Sequence, residues 1–208
     1  MFARVKSISL LTVILTTLLF GCATTTPRSA DIPYQTPHPS PITNFQVVDS
    51  DGIYRSGQPR GEADWKYLED LGITTVIRLN EFSPNVDEAE ELRMAKAHNI
   101  SVVRIYMQPE DWPHNWNPWV RPDSTKLMEA VAILENRGNK KILVHCSHGK
   151  DRTGLVVAIY SIRDKNFCKD AAYKQMRDYG ANPILFGLKS VLDGADIVQH
   201  QNCLADYK

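Results

Sequence analysis

The feature that most limits the fold is a pair of apolar runs separated by eight residues, 142–145 (ILVH) and 154–162 (GLVVAIYSI). The first is short and continuously apolar, the second is apolar on nearly every helical face, and neither shows the alternation of a half-solvated element. Continuous apolarity in both requires burial on two faces, as in a central parallel strand followed by its crossover helix. The fold class this predicts is α/β, a central mostly parallel sheet flanked by helices.

The rest of the chain fits that alternation. Phe45 to Val48 and Ile53 to Tyr54 read as strands around an Asp49-Ser50-Asp51-Gly52 turn. Glu62 to Leu71 reads as a helix stopped by Gly72, Thr74 to Leu79 as a strand, Val86 to His98 as an acid-led helix, and Val102 to Tyr106 as a strand. A helix over Arg121 to Arg137 ends at Gly138, and Cys168 to Tyr179 and Ile184 to Leu192 add terminal helices.

Between the two apolar runs lie Cys146-Ser147-His148-Gly149-Lys150-Asp151-Arg152-Thr153, preceded by His145. A loop leaving a strand and entering a helix can aim successive backbone N–H groups at one point, where the helix dipole also favours negative charge. That is an anion-shaped hole. The same field would draw the Cys146 thiol toward its thiolate. Arg152 can fold its planar fork back over the loop and hold two oxygens of a phosphoryl group. A metal site built from His145, Cys146 and His148 is disfavoured, because adjacent residues rarely converge on one ion.

Cys146-x5-Arg152-Thr153, in this strand-loop-helix context, resembles the signature of the protein tyrosine phosphatase superfamily, in its shorter dual-specificity branch. Tyr54-Arg55-Ser56-Gly57-Gln58-Pro59 and the stretch from Leu71 to Leu79 resemble the opening of bacterial members. The resemblance implies a cysteine-dependent hydrolysis of phosphomonoesters through a phosphocysteine, with no cofactor. It implies Cys146 as nucleophile, Arg152 as the phosphate clamp, and Ser147, His148, Gly149, Lys150, Asp151 and Thr153 as the cradle. It further implies that Thr153 donates to the cysteine sulfur and that His145 orders the loop.

The family takes its general acid from an aspartate on a loop before the cysteine. Asp111, in Pro109-Glu110-Asp111-Trp112-Pro113, stands thirty-five residues upstream and is the expected acid, with Glu110 as the neighbouring alternative. Asp123 reads instead as the cap of the next helix. Trp112, Trp116 and Trp119 crowd the same loop, either as its private core or as a wall for a ring-shaped substrate.

The first twenty-one residues read as a signal peptide: Arg4 and Lys6 precede an apolar run from Ile8 to Phe20 that is too short to span a bilayer comfortably. Leu19-Phe20-Gly21-Cys22 resembles the bacterial lipoprotein box, which implies lipid attachment at Cys22. With Ala23 next, the expected location is the periplasmic side of the outer membrane of a Gram-negative cell. Five of the twelve prolines fall between residues 23 and 44, so residues 22–44 read as a lipidated tether and 45–208 as the catalytic domain. Cys168 and Cys203 remain, either as a disulfide holding the C-terminal tail or as two buried thiols.

With 24 Lys+Arg against 24 Asp+Glu, no chain-wide basic field is available to hold a nucleic acid, and anion recognition must be local. The substrate reading stays open between a phosphotyrosine or general phosphomonoester and an inositol phosphate or phosphoinositide, which the resemblance of Gly149-Lys150-x-Arg152 to phosphoinositide phosphatases would favour. A phosphate-binding module without turnover is the remaining alternative.

Overall fold

The computed structural model describes residues 40–81, 87–107, 119, 121–194 and 196–206. Cys22, Glu110, Asp111, Trp112 and Trp116 lie outside the described residues.

Five strands form one sheet in the order β1 (Gln46–Asp49), β2 (Ile53–Ser56), β5 (Ile142–His145), β3 (Thr75–Arg78), β4 (Ser101–Arg104). Only the β1–β2 pair, joined by a tight turn, is antiparallel. The other three pairings are parallel, and β5 sits between β2 and β3. The α/β expectation holds, and its reason is visible in β5: Ile142 and Val144 enter one core and Leu143 the other. On the first face the strands meet α4 (Asp151–Asp164), and α3 (Ser124–Glu135), α5 (Lys169–Asp178) and α6 (Phe186–Asp193) complete the same core. On the second they meet α1 (Gly61–Asp70) and α2 (Glu88–Ala97).

Helix α4 is buried from Thr153 through Ile162 because α3, α5 and α6 pack around it on the side away from the sheet. That enclosure accounts for the absence of a polar stripe. Asp123 caps α3 as expected, its carboxylate accepting from Thr125 N at 2.8 Å and Lys126 N at 3.1 Å.

Two expectations shift. Helix α4 begins at Asp151 and not at Gly154, so Arg152 and Thr153 lie in its first turn: Gly149 at φ +70° breaks the chain direction, and Lys150 O already accepts from Gly154 N. The packed chain also reaches back before residue 45, because Ile42 is buried and the Asn44 amide bonds to Gly149 O and Tyr179 O.

The two thiols left open by the sequence are joined as the disulfide Cys168–Cys203. It fastens the tail to the α4–α5 junction beside a parallel bridge of Phe167 with Leu204, where Cys168 N donates to Leu204 O at 2.9 Å. Closing a 35-residue separation stabilises the fold by about 3–4 kcal/mol on the chain-entropy model. Replacing both cysteines by serine should lower the urea unfolding free energy by about 2–4 kcal/mol. Equal midpoints for the two proteins would show that the tail is held by its hydrogen bonds alone.

Candidate functional site

The carboxyl ends of β2, β5 and β3 carry buried polar residues: Arg55 and Ser56, His145, and Arg78. His145 pairs in register with Ser56 on one side and Arg78 on the other. Open α/β sheets bind ligands in the crevice beyond such strand ends. The chain from Cys146 to Lys150 makes its turn there.

Gly149 shapes that turn. At φ +70° it takes a conformation L side chains rarely adopt, and a Cβ would lie 2.4 Å from the backbone of Ser56 and Gly57. Its carbonyl is held by two distant side chains, accepting from Arg55 Nη2 at 2.7 Å and Asn44 Nδ2 at 3.0 Å. Arg55 is fully buried and its guanidinium stacks on the Tyr179 ring, 4.3 Å from the centroid, which ties the loop to the end of α5.

Cys146 forms the floor, 3% exposed. Burial pushes its thiol up, but the Arg152 guanidinium, the Thr153 hydroxyl and the backbone N–H groups of Thr153 and His148 outweigh burial and hold it below its ordinary value. Helix α4 has no side-chain cap at its N-terminus, and Arg152 Nη1 is buried with no hydrogen-bond partner among the described residues. An uncapped helix start, an unsatisfied guanidinium nitrogen and a lowered thiol together suit a tetrahedral anion above the sulfur. Ser147 and Thr153 are buried in the wall, and His148 and Lys150 stand exposed at the rim. Asp151, expected in the cradle, turns one carboxylate oxygen to Asn182 N at 2.7 Å and braces the loop between α5 and α6.

His145 is fully buried. Its Nδ1 lies 3.4 Å from Cys146 O and its Nε2 lies 3.0 Å from Glu91 Oε1. Glu91 is a buried carboxylate that the sequence reading did not single out. It also pairs with Arg78 and accepts from the Gln58 amide, so one side chain of α2 joins β3, the segment after β2, and the residue preceding the nucleophile candidate. Burial pushes its carboxyl up, while His145, Arg78 and Gln58 more than compensate and hold it below the usual carboxylate range. A signal for it existed: Glu91 falls on the same helical face as the buried Met94 and Ala95, where an apolar residue would be expected. Arg55 and Asn44 gave no comparable signal, since their roles depend on long-range contacts.

The lowered Glu91 carboxyl contributes stability above its unfolded-state value near 4.3, and that contribution is lost as pH falls through the lower folded value. Glu91→Ala should destabilise the fold by about 3–5 kcal/mol, because it leaves the Arg78 charge buried without its partner. An unfolding free energy within about 1 kcal/mol of the unmutated protein in urea at pH 7 would remove the network from the account. The lowered thiol predicts rapid alkylation of Cys146 by iodoacetamide at pH 7, slowing as pH falls and slower at pH 7 in Arg152→Ala. Identical rates in the two proteins would exclude Arg152 as the stabilising charge.

The model of the tyrosine phosphatase family matches residues 40–165. The chain is 30% identical over 171 residues to the inositol diphosphatase DSP3 of Arabidopsis thaliana, covering 79% of this chain and 76% of that protein. Among solved structures, the core catalytic domain of the PP-IP phosphatase Siw14 from S. cerevisiae is 25% identical, with a TM-score of 0.59, covering 76% of this chain and 90% of that one. TpbA of P. aeruginosa in complex with pTyr is 22% identical with a TM-score of 0.56, covering 82% and 93%, a likeness of fold.

Proposed function

Since the chain belongs to the tyrosine phosphatase family, we propose that it is a cysteine-dependent phosphatase whose substrate is a multiply phosphorylated inositol, with the terminal phosphoryl of an inositol diphosphate as the group removed. The observation that carries the chemistry is the lowered Cys146 thiol beneath Arg152 at the uncapped start of α4. For the substrate, support comes from Lys150, an exposed cation at the rim with no ion pair among the described residues, and from the activities named for the Arabidopsis and yeast relatives.

In the first step the Cys146 thiolate attacks phosphorus in line. The S–P bond forms, the P–O bond to the leaving group breaks, and the leaving oxygen departs with the bonding pair. Arg152 and the loop N–H groups hold the equatorial oxygens as charge spreads over them. In the second step water attacks the phosphocysteine, the S–P bond breaks, and inorganic phosphate leaves. The Thr153 hydroxyl stabilises the sulfur as it regains its charge. Asp111 is the group assigned to protonate the leaving oxygen. A phosphate leaving group is far less basic than an alkoxide, so an anhydride depends least on that proton.

A second reading, hydrolysis of phosphotyrosine, is favoured by one contact. Trp119, exposed, packs against the ring of Phe186 at 4.8 Å, at the start of α6 after the turn that Asp151 braces, and this exposed aromatic pair is the kind of surface an aromatic ester would meet. The signal peptide and the lipid at Cys22 complete the proposal: an enzyme tethered on the periplasmic side of an outer membrane, meeting substrates from outside the cytoplasm.

A panel of a diphosphoinositol pentakisphosphate, inositol hexakisphosphate and a phosphotyrosine peptide tests the choice. The expected order of kcat/KM puts the anhydride at least about tenfold above the peptide, and the reverse order selects the second reading. Cys146→Ser should abolish turnover of all three while retaining ligand binding; unchanged turnover would remove Cys146 as nucleophile. Asp111→Asn should slow the peptide by roughly 10²-fold or more and the anhydride far less. An equal loss on both would reassign the acid, with Glu110 next in line.

A further inference from the structure

At the rim of the catalytic cup lies an open concavity of about 510 Å³, lined by His148, Lys150, Asp151, Arg177, Gly180 and Asn182 among others. One wall is the segment His148 to Asp151 of the loop and the other is the end of α5 with the turn before α6. Three details give it a defined charge. Asp151 is engaged by Asn182 N, so its carboxylate is braced into the wall. Arg177 donates from Nη1 to Ala181 O, which fixes its guanidinium at the end of α5, and no other hydrogen bond or ion pair engages it among the described residues. Lys150 runs across Gly180, where a Cβ would come within 3.3 Å of Lys150 Cε, so the glycine leaves room for the lysine stem to lean toward α5.

We propose that this concavity is a binding subsite for a second phosphoryl group of the ligand whose first phosphoryl occupies the cup, and that Arg177 is its specificity-determining residue. The inference rests on the reading of the substrate as multiply phosphorylated. Two cations without carboxylate partners border a space that opens directly off the loop, and a guanidinium fixed through one nitrogen keeps the rest of its fork for phosphate oxygens. A ligand with one phosphate fills the cup and leaves this space untouched. A ring bearing several phosphates reaches both.

The test follows hydrolysis of nitrophenyl phosphate by the unmutated protein, Arg177→Gln and Arg177→Lys, with inositol hexakisphosphate or inorganic phosphate as inhibitor. Arg177→Gln should keep kcat/KM for nitrophenyl phosphate within about twofold and leave inhibition by inorganic phosphate unchanged. It should weaken inhibition by inositol hexakisphosphate about tenfold, the worth of roughly one charge-assisted contact. Arg177→Lys, which keeps the charge, should recover most of that loss. Equal weakening of both inhibitors, or a lysine variant no better than glutamine, would mean that Arg177 only closes the end of α5, and the subsite would be rejected. Arg177-dependent inhibition in a protein that hydrolyses no inositol phosphate would keep the subsite and overturn the substrate reading. Turnover of an inositol diphosphate with a KM indifferent to Arg177→Gln would do the opposite.

Discussion

The site depends on a close approach of backbone to backbone. Gly149 passes so near Ser56 and Gly57 that no side chain fits, and its carbonyl is held by Arg55 and Asn44. With that turn held, the backbone N–H groups of His148 and Thr153 act on the Cys146 sulfur. A buried thiol would ordinarily resist ionisation. Here oriented dipoles and one guanidinium reverse the sign of that effect.

Support for the loop comes from opposite sides of the sheet. On one side Arg55 reaches Gly149 and stacks on Tyr179, so the helices after the loop are held to the strand before it. On the other, Glu91 gathers Arg78, Gln58 and His145 in a buried network. Removing any member strands a charge or a polar group in the interior, where desolvation is severe. Such a network contributes less to net stability than to a single geometry, and a single geometry is what a nucleophile aligned with a phosphorus atom requires. The α5–α6 turn, braced by Asp151, extends the anion surface beyond the cup.

Much of this architecture was legible in local pattern. The strand 142–145 coincides with its apolar run, because four consecutive apolar or buried positions admit few alternatives once a helix of similar character follows. Element ends were less legible. Helix α4 starts three residues earlier than Gly154 because Asp151 to Thr153, polar in sequence, are positioned by the turn at Gly149 rather than by hydrophobic period. Ile42 was illegible for a related reason: it is one apolar residue among prolines, and only its burial marks it as core.

By itself the sequence determined the α/β class, the order of elements and the placement of Cys146, Arg152 and Thr153 at one strand-helix junction, since these follow from periodicity and spacing along the chain. Tertiary structure alone decided which distant groups serve that junction. Asn44, Arg55 and Glu91 reach it from separate parts of the chain, and the Cys168–Cys203 pairing required knowing where the tail returns. Hydrogen bonds and charges act over a few ångströms of space, and neighbours in space across this sheet are separated by up to a hundred or more positions in the chain.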